Sequence, residues 1–156
     1  MDIKNIRIDS RGLHGQVAVS WIPNLHIDRV VIVDDEIVRN DVQKKIIKMA
    51  CPEGVKLSII DINRFKERLD EKDAYPNQAV MVIFTRVQSL EYLKDYADKL
   101  KEINIANVSN KESSELVTKT VYLTEEDKKI LNNIQKLGVS FYYQMVVGSK
   151  KEGLEF

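Results

Sequence analysis

Apolar positions along this chain follow two rhythms that take turns from one end to the other. Ile3, Ile6 and Ile8 run between polar residues into Asp9, which predicts a first strand with an acidic exit. Residues 10–14 read as a polar turn. Beyond Gln16, residues Val17, Ala18 and Trp21 share one side of a helix that Pro23 stops or caps. Arg29 to Val33 is a near-continuous apolar run ending at Asp34 and Asp35, as expected of a parallel strand buried on both faces. Val38 to Ala50 carries Val38, Val42, Ile46, Ile47, Met49 and Ala50 among charges and predicts an amphipathic helix, closed by Pro52, Glu53 and Gly54.

The second half repeats the alternation. Val55 to Ile60 predicts strand three, and Asp61 a capped helix to about Glu71. A turn at Tyr75, Pro76 and Asn77 leads into Ala79 to Phe84, the most apolar strand, with Thr85 and Arg86 at its exit. Ser89 caps an expected helix from Leu90 to Leu100, with Leu90, Leu93, Tyr96, Ala97 and Leu100 on one face. Glu102 to Val108 predicts strand five. A polar stretch from Ser109 to Glu115 precedes a short strand over Thr118 to Leu123. Thr124 to Asp127 has the form of a capping box opening the last helix, and Leu137 with Gly138 ends it. Val139 to Val147 predicts the last strand, with a charged tail behind it.

The fold class expected is therefore α/β: a doubly wound, mostly parallel sheet of about seven strands, helices on both faces, in a single domain over residues 1–156. In such sheets ligands meet the carboxyl ends of the strands, where the strand order switches. The candidate chemistry sits at those exits: Asp9 to His14, Asp34 with Asp35, Thr85 with Arg86, and the stretch from Asn107 to Asn110.

Composition removes several classes of function. Lys and Arg together number 24 and so do Asp and Glu, leaving no global basic field for nucleic acid. Cys51 is the one cysteine, so there is no internal disulfide framework, which fits a reducing cytosol. No apolar run approaches the ~20 residues of a membrane span, and no leader pattern opens the chain. Gly12 and Gly15 lack the spacing of a Gly-x-Gly-x-x-Gly or Walker nucleotide loop.

The first loop has the parts of a phosphoryl acceptor. A neutral imidazole at His14 offers a ring lone pair to phosphorus. Arg11 can pair with phosphate oxygens through its planar fork. Amides from Gly15 onward open a helix, which favours an anion, and Gly15 permits close approach. Asp9 can orient Arg11 or hold the second ring nitrogen. Taken singly, each residue also reads as ordinary surface: a solvated loop histidine, an exposed ion pair at Arg11, a solvated helix entrance at Asp34 and Asp35, a helix cap at Thr85 and Arg86. His26 reads as a surface residue between elements, and Trp21 as core or as part of a docking face.

The eleven residues Arg7 to Val17 resemble the active-site signature of IIB subunits of the mannose/fructose/sorbose family of sugar phosphotransferase systems, approximately Arg-x-Asp-x-Arg-Leu-Ile-His-Gly-Gln-Val. Trp21, Asp34 and Asp35, Ala50 to Pro52, Thr124 to Asp127, and Leu137 to Val139 extend the resemblance over essentially the whole chain. It implies a stand-alone IIB in which His14 accepts a phosphoryl group, on Nδ1, from a IIA phosphodonor. The group then passes to a sugar held by membrane IIC and IID subunits. Catalytic roles fall to His14, Arg11 and Asp9, and phosphate binding to Arg11, Gly15 and Gln16. Asp34, Asp35, Thr85 and Arg86, at the neighbouring strand exits, are candidate second-loop contributors. No metal, nucleotide or nucleic acid is implied. The location implied is cytoplasmic, at the membrane subunits, and family members can also form homodimers. The chain departs from the pattern in three places: Gly12 for leucine or isoleucine, the pair Ala106 and Asn107 where two glycines are usual, and Val147 for proline. They motivate the competing expectation of a regulatory or binding module on the same fold, with altered or lost transfer.

Overall fold

Strand β1, Asp2–Asp9, lies in the middle of the sheet and carries the first loop at its carboxyl end. The computed structural model describes residues 1–156. β1 pairs in parallel with β4 (Ala79–Phe84) on one side and β5 (Glu102–Asn107) on the other. Next to β4 stand β2 (Arg29–Val33) and then β3 (Lys56–Ile60); beyond β5 stand β8 (Ser140–Tyr143) and β9 (Glu152–Leu154). The order is β3-β2-β4-β1-β5-β8-β9, with only β9 antiparallel. The expected mostly parallel seven-stranded sheet is present. β6 (Glu115–Thr118) and β7 (Val121–Leu123) form a separate antiparallel pair.

The direction of each crossover decides which face its helix covers. The chain leaves β1 and β2 toward one edge, so the helical segment α1 (residues 15–24) and α2 (Asp41–Ala50) lie on one face. Val17, Trp21 and Ile47 from these elements, with Leu13 from the loop before them, pack on Val30, Ile32, Met81 and Ile83. It leaves β3, β4 and β5 toward the other edge, so α3 (Ile62–Asp70), the turns over 87–100 and α5 (Glu125–Gln135) cover the opposite face. There Ile6, Ile8, Val31, Val82 and Phe84 meet Phe65, Leu90, Leu131 and Ile134 in the larger core. Phe65 and Phe84 stand edge to face, ring centres 5.4 Å apart. The loops after β1 and β5 therefore depart to opposite faces, and the crevice between those strand ends is the switch point.

Helix boundaries follow the caps. The Asn40 side chain accepts from the Gln43 N–H, Asp61 from Arg64, and Thr124 and Asp127 form the expected capping box. The segment 15–24 is wound as a π-helix over Val17–Trp21.

Four sequence expectations change. The helix expected over Leu90 to Leu100 is a run of 3₁₀ turns over Val87–Tyr96 followed by an α-turn, α4, at Ala97–Leu100. Its buried residues Val87, Leu90 and Leu93 recur every third position, the 3₁₀ period. The strand expected over Thr118 to Leu123 is the β6–β7 hairpin. The last strand stops at Tyr143 because the Asn104 side chain replaces the ladder there, donating to the Gln144 carbonyl at 2.9 Å and accepting from its N–H at 3.1 Å. The tail then returns as β9. On α2 only Ile47 is buried; Val42, Ile46 and Met49 face solvent, although their spacing reads as a core stripe.

Candidate active site

β1 reaches its exit with a file of polar residues on one face. The register against β4 slips between Ile3 and Asn5, leaving Lys4 as the extra residue. After that slip Asn5, Arg7 and Asp9 share the face covered by the segment 15–24, while Ile6 and Ile8 enter the other core. All three polar residues are buried.

Asp9 is the hub. Its Oδ2 accepts from Arg7 Nη2 at 3.0 Å and from Arg11 Nη2 at 3.3 Å, and it lies 3.0 Å from Nε2 of His14. Its Oδ1 accepts from the backbone N–H of Arg11 at 3.2 Å and from Arg11 Nε at 3.1 Å. Burial alone would push this carboxyl up. Hydrogen bonds from His14 and Arg11 and the charge of Arg7 outweigh it, so Asp9 is held below the ordinary aspartate range. A carboxylate at 3.0 Å from Nε2 selects the tautomer that carries its proton there. Nδ1 then keeps the lone pair. The His14 side chain is 19% exposed and that of Arg11 44%, whereas Arg7 and Asp9 are sealed at 1% and 0%.

The turn is tied at both sides. The Gly12 N–H donates to the Asp9 carbonyl at 2.9 Å, and Gly12 takes φ +67°, a conformation glycine adopts without a Cβ penalty. The Ser10 N–H donates to the Asn107 carbonyl at 3.0 Å, and Ser10 Oγ is 2.7 Å from both Asn107 Oδ1 and Ser109 Oγ. This stitches the loop after β1 to the loop after β5 across the crevice. Helical structure begins at residue 15 directly after His14. Gly15 is exposed with open space where a Cβ would stand, and Gln16 is half-buried beside it. The first amides of that helix have no intrahelical acceptor.

Of the sequence candidates, Asp9, Arg11, His14, Gly15 and Gln16 are thus together in one loop. The second-loop residues split. Asp34 is buried, accepts from the Glu36 and Ile37 N–H groups at 2.7 Å each and from Thr85 Oγ1, and lies 3.4 Å from Arg86 Nε. Asp35 turns away and accepts from the Ile62 N–H at 2.9 Å, helping to cap α3. Arg86 is held mainly by Glu36 and keeps a raised pKa through that hydrogen bond. This network touches the first loop by packing: the Thr85 methyl lies 4.0 Å from where a Gly12 Cβ would be. No group of three or more His, Cys, Asp or Glu side chains has metal-binding geometry.

Sequence reasoning passed over Arg7 as a site residue. Its guanidinium is fully buried, touches Asp9, and sits with its central carbon 5.1 Å from the centre of the Trp21 ring. The signal was present, since Arg7 is two residues from Asp9 in a strand and must share its face. Trp21 in turn donates from Nε1 to the Met145 carbonyl at 3.1 Å, so the segment after β8 closes over this side.

A sealed carboxylate fixing the outer ring nitrogen of a switch-point histidine is a local arrangement. Comparison with known proteins extends it to the whole chain. The sorbose-specific EIIB component of Lacticaseibacillus casei is 29% identical over 146 residues, covering 94% of this chain and 88% of that protein. The N-acetylgalactosamine-specific enzyme IIB component 1 of Escherichia coli K12 is 29% identical over 147 residues, 94% and 92% of the two chains. The crystal structure of an N-acetylgalactosamine-specific IIB component 1 from Escherichia coli superposes with a TM-score of 0.88 at 28% identity, covering 98% of this chain and 99% of that one. Residues 3–155 match the family described as the PTS system sorbose subfamily IIB component, and to that family of sugar phosphotransferase components this chain belongs.

Proposed function

We propose that this IIB component carries the phosphoryl group on Nδ1 of His14. The observation that supports this most is the 3.0 Å contact of Nε2 with buried Asp9, which leaves Nδ1 as the free nucleophile. In the accepting step the Nδ1 lone pair attacks phosphorus of a phosphohistidine on a IIA donor. The N–P bond of the donor breaks, and its electron pair stays on the donor imidazole. As the new bond forms the His14 ring gains positive charge, which the Asp9 carboxylate stabilises through Nε2–H. In the delivering step a sugar hydroxyl oxygen attacks the same phosphorus, the P–Nδ1 bond breaks with its electron pair returning to Nδ1, and the hydroxyl proton is released from the sugar oxygen.

Such transfer asks the protein mainly for positioning and charge neutralisation. Two guanidinium groups, Arg7 and Arg11, stand against one carboxylate, so the resting loop carries one excess positive charge toward the incoming phosphoryl group. Arg11 uses Nε and Nη2 on Asp9, and its remaining edge serves the phosphoryl oxygens. The amides of Gly15 and Gln16 at the start of the helix add donors. Asp34, Thr85 and Arg86 brace the neighbouring loop beside Gly12 and do not enter the chemistry.

The same reading makes residues 1–156 one IIB domain that works at the cytoplasmic side of membrane IIC and IID subunits, where the sugar is held. No helix here is long and apolar enough to cross a membrane itself. Reconstitution tests it: the wild-type chain, a phosphorylated IIA of this family and IIC/IID membranes are expected to phosphorylate sugar. Membranes that phosphorylate sugar with a control IIB but never with this chain and its cognate IIA would refute the reading.

A further inference from the structure

We propose that Arg7 is the positioning residue of this site: it fixes Asp9 against Nε2 of His14, so that the phosphoryl group enters on Nδ1. The inference rests on the reading of His14 as the carrier and adds a residue that never touches the phosphoryl group.

Arg7 stands opposite Ile83 of β4 and Asn104 of β5, in the middle of the sheet. Around it on this face lie Ile32, Met81 and Ile83. An arginine there is an expensive choice. Its Nη2 donates to Asp9, but its Nε and Nη1 are buried and meet no acceptor from the protein itself. As a stability device a half-paired buried guanidinium is poor, because an apolar side chain of similar shape commonly does as well or better. What it does provide is rigidity. It is packed against the Trp21 ring, and Trp21 is itself anchored to the Met145 carbonyl.

Asp9 has two cationic arginine partners, and they differ in kind. Arg11 is 44% exposed and lies in the loop with His14, outside the strand ladder. Arg7 is sealed in a strand that is paired on both sides. It grips Oδ2, the same oxygen that meets Nε2 of His14, with both contacts at 3.0 Å. Without Arg7 the carboxylate can rotate with Arg11, and the imidazole loses its fixed acceptor. Outer partners that hold a ligating histidine in one tautomer are worth about 10–100-fold in metal sites, and a similar loss is expected here.

The test uses the full chain with ¹⁵N-labelled histidine. Long-range proton–nitrogen correlation is expected to show wild-type His14 with Nε2 protonated and Nδ1 bare. In Arg7→Met the two nitrogens are expected to move toward averaged shifts. Transfer from phosphorylated IIA at saturating donor is expected to slow about 10–100-fold while KM for the donor holds. Arg7→Lys retains a charge that can reach Asp9 and is expected to recover the wild-type tautomer; it also serves if Arg7→Met does not fold. A folded Arg7→Met with wild-type nitrogen shifts and wild-type transfer would overturn the proposal, as would an averaged tautomer in Arg7→Lys equal to that in Arg7→Met. The nitrogen spectrum needs no phosphoryl donor, so it remains decisive even if the wild type accepts no phosphoryl group.

Discussion

Replacing Asp9 by asparagine removes one charge and almost no volume, and the structure sets how much that costs. Asp9 and Arg7 are 3.0 Å apart with side chains 0% and 1% exposed. At an effective dielectric of about 20 that separation corresponds to about 5–6 kcal/mol of attraction. Desolvation of both groups offsets much of this in the intact protein. In Asp9→Asn, however, the guanidinium stays buried and loses its counter-charge, and breaking a buried pair in this way costs about 3–5 kcal/mol. Arg11 adds little to the loss, since exposed partners of this kind are worth under about 1 kcal/mol. For a chain of this length the loss corresponds to a Tm decrease of about 6–20 °C. Urea unfolding of Asp9→Asn, Arg7→Met and the double variant measures the term directly. The double variant removes both charges, so it is expected to lie at least about 1 kcal/mol above the sum of the singles. An Asp9→Asn protein within about 1 kcal/mol of wild type, or strict additivity of the two changes, would refute the coupling of the two buried charges.

Other consequences follow from the same geometry. Because the Asp9 carboxyl is lowered by folding, with hydrogen bonds from His14 and Arg11 and the charge of Arg7 exceeding its burial penalty, its contribution is fully present above the unfolded aspartate value of about 3.9. It is lost as pH falls through the lower folded value. Acid titration of stability is therefore expected to fall less steeply below about pH 4 in Asp9→Asn than in wild type, and identical acid limbs would count against it. Arg11→Ala is expected to lower the transfer rate about 10²-fold, the scale of losing one charge-stabilising donor, while stability changes by under about 1 kcal/mol; intact-mass kinetics and urea melts separate the two. Gly12→Ala isolates backbone strain. A Cβ there would meet nothing nearer than Ile32 Cδ1 at 3.8 Å, yet φ is +67°, so a cost of about 1–2 kcal/mol is expected from the left-handed conformation alone. An unchanged melting temperature would show that the turn relaxes freely.

The alternating rhythms revealed the architecture because each crossover in a parallel sheet needs its own helix. The loop from Asp9 to Gln16 was legible for a related reason: the strand pattern stops at Asp9 and the helical pattern starts just beyond His14. Arg7 was harder to read. An arginine between Ile6 and Ile8 reads as the solvent side of a half-exposed strand, whereas a doubly covered sheet has no solvent side. The slip at Lys4 also shifts the alternation, so that Ile3 and Ile6 fall three apart. The aspartates at Asp34 and Asp35 carry no mark of which one will face Thr85 and which will cap α3; that depends on where α3 starts in space. The chain end misleads for the opposite reason. Met145, Val146 and Val147 are apolar enough for a strand, but Asn104 has taken the next ladder position, the Met145 carbonyl accepts from Trp21, and Val147 packs with the core on the Trp21 face.

The most direct test of the account is phosphoryl transfer from phosphorylated IIA to wild type and to His14→Ala, read by intact mass, with ³¹P and ¹⁵N NMR of the labelled wild type. One phosphoryl group per wild-type chain, bonded to Nδ1, is expected, and none on the folded variant. Label that persists in His14→Ala, or that sits on Nε2 in the wild type, would contradict it.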